Sequence, residues 1–299
     1  MSQPQLNPTN VPVRTSVSNR DVPWKRFLRN LSKNKAAVAG AIIVFIFAII
    51  AIFAPYIAPQ DPLHMEITNK LESPSAGHWL GTDDKGRDIL SRIIYGSRIS
   101  LTVGVLSTLL GATIGIVLGI VAGYYGRWVD SLLMRVCDVL LAFPGILLAL
   151  AIVSVLGAST TNVIIAVAFF AVPTFARIVR GSTLSVKKLE YIDAIRAMGA
   201  SDFRIIFKHI LPNILSPIIV QATLYIASAI ITASALSFLG MGTQPPDPEW
   251  GTMLSQGRSY IRQAPHITLF PGLVILMVVI GFNLFGDGLR DALDPKSKK

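Results

Sequence analysis

Long apolar runs separated by short charged segments organise this chain. No Asp, Glu, Lys or Arg interrupts it between Lys35 and Asp61, Arg98 and Arg127, Asp138 and Arg177, Lys208 and Asp247, or Arg262 and Asp287. A helix of about 20 apolar residues crosses the hydrocarbon of a bilayer, so these runs predict membrane spans. Pro, Gly and charge boundaries place six spans at 36–54, 99–123, 131–156, 162–180, 213–239 and 267–286. Pro55 ends the first span, and the interval after Asp138 holds two spans joined by a tight turn at 157–161. The segment 55–97, dense in Pro and turn formers, is a polar loop. The expected fold is an all-α integral membrane protein with six transmembrane helices.

Composition agrees with that reading. The 299 residues are 52% hydrophobic and 15% charged, where a soluble domain carries about 25% charged residues. The net charge of +10 invites a nucleic-acid reading, but no basic run is interleaved with aromatics able to stack bases. Of the 27 Lys and Arg, 20 fall in the N-terminal tail, around Arg127 and Arg135, between Arg177 and Lys208, and at the C-terminus. The other seven are the five between Lys70 and Arg98, together with Arg258 and Arg262. The positive-inside rule then puts both termini in the cytoplasm, which only an even number of spans permits. The lone Cys137 excludes an intrachain disulfide and a thiolate metal cluster. It reads as a small packing residue at a helix entrance. Residues 1–35 are polar and Pro-containing, as expected of a disordered cytoplasmic tail rather than a cleaved signal peptide.

Two patterns go beyond spans. Gly111, Gly115, Gly119 and Gly123 recur every fourth residue and make one smooth helix stripe, suited to close packing of a neighbouring backbone. The segment 182–212 is amphipathic. Tyr191, Ala194, Ile195 and Met198 share one helix face, Gly199 stops that helix, and Ser201 caps a second with Phe203, Ile206, Phe207 and Ile210 on one face. Leu211-Pro212 then redirects the chain into the fifth span. Periodicity leaves two readings open: a compact knob that docks a partner, or a helix pair lying on lipid headgroups.

The run 190–212, EYIDAIRAMGASDFRIIFKHILP, resembles the EAA loop of ABC importer permeases. That motif reads Glu-Ala-Ala, three residues, Gly, nine residues, Ile, any residue, Leu-Pro. Here Asp193, Ala194 and Ile195 stand at the Glu-Ala-Ala positions, followed by Gly199, His209, Leu211 and Pro212; Asp keeps the charge, Ile adds bulk and His replaces Ile. The stretches 78–92 (HWLGTDDKGRDILSR), 239–251 (LGMGTQPPDPEWG) and 286–296 (GDGLRDALDPK) resemble the C-type subunits of dipeptide, oligopeptide, glutathione and nickel permeases. The resemblance covers the chain from Trp24 onward. It implies the type I importer permease fold, with an N-terminal tail (1–35), a first helix and external loop (36–97), a transmembrane core (98–287) and a C-terminal tail (288–299). It also implies a sister permease, two ATP-binding cassette ATPases and an external substrate-binding protein as partners, in a cell membrane. Glu190, Asp193, Ala194, Gly199, Ala200, Ser201, Leu211 and Pro212 are the positions it assigns to coupling with the ATPases.

No G-x-x-x-x-G-K-[ST] occurs, so ATP and Mg are expected on partner subunits and no cofactor on this chain. No H-E-x-x-H occurs and the four His are scattered, so no metal site is expected. The spans as placed hold no ionisable residue deep in the membrane, which speaks against a proton-coupled secondary transporter. A channel or scaffold without ATPases would have no use for the charged knob. Within the importer reading, peptides are the expected substrate, with glutathione or nickel complexes as alternatives.

Overall fold

The computed structural model describes residues 31–293; the tails at 1–30 and 294–299 lie outside the described residues. The fold is a bundle of helices: α1 (Lys35–Ile52), α2 (Ala54–Ile57), α3 (Ile89–Tyr125), α4 (Arg127–Ala142), α5 (Gly145–Leu156), α6 (Thr160–Lys187), α7 (Glu190–Ala197), α8 (Asp202–Ile205), α9 (Leu211–Phe238), α10 (Trp250–Gly257) and α11 (His266–Leu293). Five helical stretches are long and apolar enough to cross a membrane, or six where the bent pair α4–α5 counts as one span.

Local chemistry sets the boundaries. Asn34 caps α1 by accepting from the Ala36 and Ala37 amides. Pro55 sits in the first turn of α2, where its missing N–H costs nothing. The second span begins ten residues before the expected 99, because Asp88 caps α3 by accepting from the Ser91 amide at 2.8 Å. Hydropathy excludes that first stretch because Ser91, Arg92 and Ser97 are polar, yet all three are buried. The 37 residues of α3 reach ~55 Å, well beyond the hydrocarbon thickness.

The third span departs most from expectation. Instead of one helix over 131–156, α4 and α5 meet at a 91° bend. Pro144 cannot donate to the helix ladder and holds Phe143 extended (ψ 139°). Cys137 is buried well inside α4 rather than at a helix entrance.

The structural centre is the seam between α3 and α6. A Cβ added at Gly111 would stand 2.4 Å from the Ala171 Cβ, at Gly115 2.5 Å from the Phe175 Cβ, at Gly119 2.5 Å from the Ala176 carbonyl oxygen, and at Gly123 2.8 Å from the Thr183 Cβ. The two backbones therefore run in contact along the whole stripe. A second close approach joins α1 to α11, where a Cβ at Gly40 would meet the Phe285 amide at 2.6 Å. Asn34 also donates to Asp291 across the same helix ends. Three apolar clusters stack along the bundle: Phe47, Ile93, Trp250 and Val278 at one end, Val103, Ala166, Phe175 and Tyr225 in the middle, and Ile120, Val179, Ile192 and Ile210 at the other.

Candidate functional site: a helical knob between the fourth and fifth spans

α7 and α8 stand at the end of the bundle formed by the last turns of α3 and α6. α7 closes with Met198 donating to the Ala194 carbonyl and Gly199 to that of Arg196, at 3.1 and 2.9 Å. Gly199 then adopts φ +81°, a conformation only glycine takes without strain. Ser201 caps α8 by accepting from the Arg204 amide.

Tyr124, at the tip of α3, ties the knob down. Its hydroxyl donates to Asp202 at 2.5 Å, and its carbonyl accepts from the Lys187 ammonium. The Arg196 guanidinium lies over its ring, 5.9 Å from the centroid. The Tyr124 hydroxyl, above all, pushes the Arg196 pKa up. Glu190 and Asp193 occupy the first turn of α7, where carboxylates favour the positive helix end; Asp193 is exposed and pairs with Arg196 at 3.3 Å.

Two expectations about the knob are corrected. The chain is not redirected at Leu211-Pro212: α8 passes through a π-helical turn, Ile206–Ile210, into α9. Pro212 falls in the first turn of α9, and the π turn absorbs the hydrogen bond it cannot make. The faces also differ from those given by periodicity. Ile192, Ile205 and Ile210 are fully buried, while Met198 is 78% and Phe203 70% exposed. Tyr191, Ala194 and Phe207 also face outward, and the Phe203 and Phe207 rings stack at 4.3 Å. Periodicity finds one apolar face per helix, but the bundle covers only the isoleucine side. An apolar surface therefore remains on the outside of the knob.

A second ordered region caps the opposite end. Asp83 accepts from the Lys85 and Arg87 amides and from the Arg87 side chain at 2.7 Å, and pairs with Arg92 at 3.5 Å. Asp83, Arg87 and Arg92 are all buried. Arg87 reaches on to Gln256 and Arg92 to the Pro62 carbonyl. Glu249 caps α10 and accepts from Ser100, and the Trp250 indole donates to the Ile93 carbonyl. Sequence reasoning gave these residues no role. The signal was an alternation of both charge signs over 83–88, which a solvated loop does not need.

Ion pairs also join α4 to α6. Arg180 grips Asp130 through two contacts of 2.5 and 2.6 Å, and Arg177 pairs with Asp138 at 2.8 Å. α6 continues to Lys187, past the expected end of the fourth span at 180.

Apolar spanning helices locked along a glycine seam, with a helical knob at one end and an ordered cap at the other, define a multi-pass membrane permease. The family described as binding-protein-dependent transport system inner membrane component matches residues 115–299, and the N-terminal TM domain of oligopeptide transport permease C matches residues 23–74. The chain belongs to the binding-protein-dependent transport permease family. It is 53% identical to the dipeptide transport system permease protein DppC of Alkalihalophilus pseudofirmus, over 92% of this chain and 91% of that protein. It is 52% identical to the glutathione transport system permease protein GsiD of Pectobacterium atrosepticum, over 92% of each. An inward-facing structure of the MetNI methionine ABC transporter shares the fold, with TM-score 0.56 and 19% identity over 69% of this chain and 98% of that one. The type I importer permease fold expected from the sequence is thus the fold of the chain.

Proposed function

We propose that this permease forms half of the translocation pathway of an ATP-driven importer for small peptides, paired with a sister permease and powered by two separate ATPase subunits. The exposed apolar patch of the knob, Met198, Phe203 and Phe207, carries the reading: in contact with water alone such a patch is unfavourable, and a docked partner covers it. Glu190, Asp193, Ala194, Gly199, Ala200, Ser201, Leu211 and Pro212 are the coupling positions. The chain has no phosphate-binding loop, so ATP and Mg belong to the partners, and it acts as a non-catalytic subunit. An external binding protein delivers substrate to the side of the ordered cap. Both termini and the knob are cytoplasmic, as the 20-to-7 division of basic residues indicates. Family membership speaks against a proton-coupled carrier. A second substrate, glutathione, is favoured by the similarity to the glutathione permease.

The test is ATP-dependent uptake in proteoliposomes holding this permease, its sister, the ATPases and the binding protein, with labelled dipeptide and labelled glutathione offered separately. Dipeptide uptake that ceases without ATP, and ceases again with Phe203→Ala/Phe207→Ala while the permease pair stays intact, is expected. Normal uptake by that double variant, with ATPases co-purifying at the wild-type yield, would refute the docking surface.

A further inference from the structure

The Asp138–Arg177 ion pair is 2.8 Å long, and its two side chains are 56% and 55% exposed. Asp138 lies on the bent pair α4–α5 and Arg177 on α6, ten residues (~15 Å) before its end at Lys187, and both stretches are long and apolar enough to belong to spans. An exposed charge pair within a span is costly against lipid, so the face bearing it meets water or polar protein.

The surroundings point to water. On α4, Ser131, Arg135, Asp138 and Ala142 are exposed along one polar, small-residue stripe. Leu132, Val136, Val139 and Phe143 are exposed on an apolar stripe about 100° away. One stripe suits a water-filled passage and the other lipid. On α6, Gly181 follows Arg177 by one turn, is exposed, and has no atom within 4 Å of where a Cβ would stand. The less exposed Asp130–Arg180 pair already ties α4 to α6, so the helices do not depend on Asp138 and Arg177 to hold together.

We propose that Asp138 and Arg177 line the aqueous translocation pathway and act as a paired station for a zwitterionic substrate, Asp138 drawing its ammonium group and Arg177 its carboxylate. This rests on the import reading above. A dipeptide and glutathione share these two free ends. A solvated ion pair contributes little net stability, so it opens readily, and the guanidinium fork then matches a carboxylate in two parallel hydrogen bonds. The station lies one helical turn before the Phe143–Pro144 bend, beside the one irregular stretch of backbone in the span.

Two experiments on the assembled transporter in proteoliposomes test this. In a Cys137→Ala background, Asp138→Cys and Arg177→Cys should react with a membrane-impermeant methanethiosulfonate, and Val136→Cys should not. The reverse pattern, or protection of both polar positions, overturns the aqueous lining. For transport, Asp138→Asn and Arg177→Gln should each lower the maximal rate of dipeptide uptake about ten-fold or more, the size expected for one hydrogen bond to a charged group. Dipeptide binding by the external protein and thermal stability should not change. The double variant Asp138→Arg/Arg177→Asp keeps the bridge with reversed polarity and should remain slow. Its recovery to the wild-type rate would make the pair a structural tie and overturn the proposal. Lack of any dipeptide uptake by the wild-type transporter would refute the peptide reading instead, and the labelling pattern alone would then uphold or overturn the lining.

Discussion

Gly115→Ala adds one methyl group at the middle of the α3–α6 seam. That Cβ would stand 2.5 Å from the Phe175 Cβ, 2.8 Å from the Val172 carbonyl oxygen and 3.0 Å from the Ala176 amide. Two of these three atoms are backbone and the third is fixed to it, so no flexible side chain can swing aside. Relief comes only from separating the helices by ~1 Å, since nonbonded carbons rest at about 3.5–4.0 Å. Gly111 to Gly123 cover ~18 Å of helix, and a gap of 0.5–1 Å forfeits about a quarter to a half of each dispersion contact along it. The cost should fall at the upper end of the ~1–3 kcal/mol typical of overpacking. Gly181→Ala is the control: it lies in α6 with open space around its Cβ position, and should be neutral or stabilising by up to ~1 kcal/mol through helix propensity. Thermal unfolding of the detergent-solubilised permease pair measures both. Equal melting temperatures for Gly115→Ala and wild type would show that the seam opens freely and that close packing there is not what holds the bundle.

Arg87→Ala leaves the buried Asp83 carboxylate with its main partner removed, at a cost of ~3–5 kcal/mol. The ordered cap should become sensitive to protease added from its own side while the spans stay protected, and an unchanged digestion pattern would count against the buried network as the source of that order. Tyr124→Phe removes the hydrogen bond to Asp202, worth ~1.5–3 kcal/mol for a charged acceptor. Trypsin should then cut faster at Arg196 and Arg204, and identical cleavage rates would mean that the isoleucine packing alone holds the knob.

Much of the bundle is legible in the sequence because charge is excluded from long runs for one strong physical reason, the cost of desolvation in lipid. The same signal hides the Phe143–Pro144 bend: both flanks are apolar, so hydropathy does not change across it, and only Pro144 itself carried a warning. It also hides the outer turns of α3, since Arg92 and Ser97 read as loop until Asp83 and the partner loop are known to bury them. The left-handed Gly199 and the capping Ser201 were readable because local backbone chemistry decides both. Which side of the knob is buried was not, because Ile192, Ile205 and Ile210 are selected by the ends of α3 and α6, distant in sequence.

The uninterrupted passage from α8 through the π turn into α9 makes 202–238 one rod of 37 residues, ~55 Å long. With no hinge at Pro212, the knob is one end of a lever whose other end is the far end of α9. Pivoting by ~10° about the middle would carry each end ~5 Å, so a push on the knob reappears at the far end of α9 as a stroke of similar size and opposite sense. The π turn is the softest point of that lever, because its wider ring leaves poorer hydrogen bonds than the α-helix on either side. Shortening it to a regular turn, by deleting one residue within 206–210, would rotate the knob by ~100° relative to α9 and point its aromatic patch away from where it now faces.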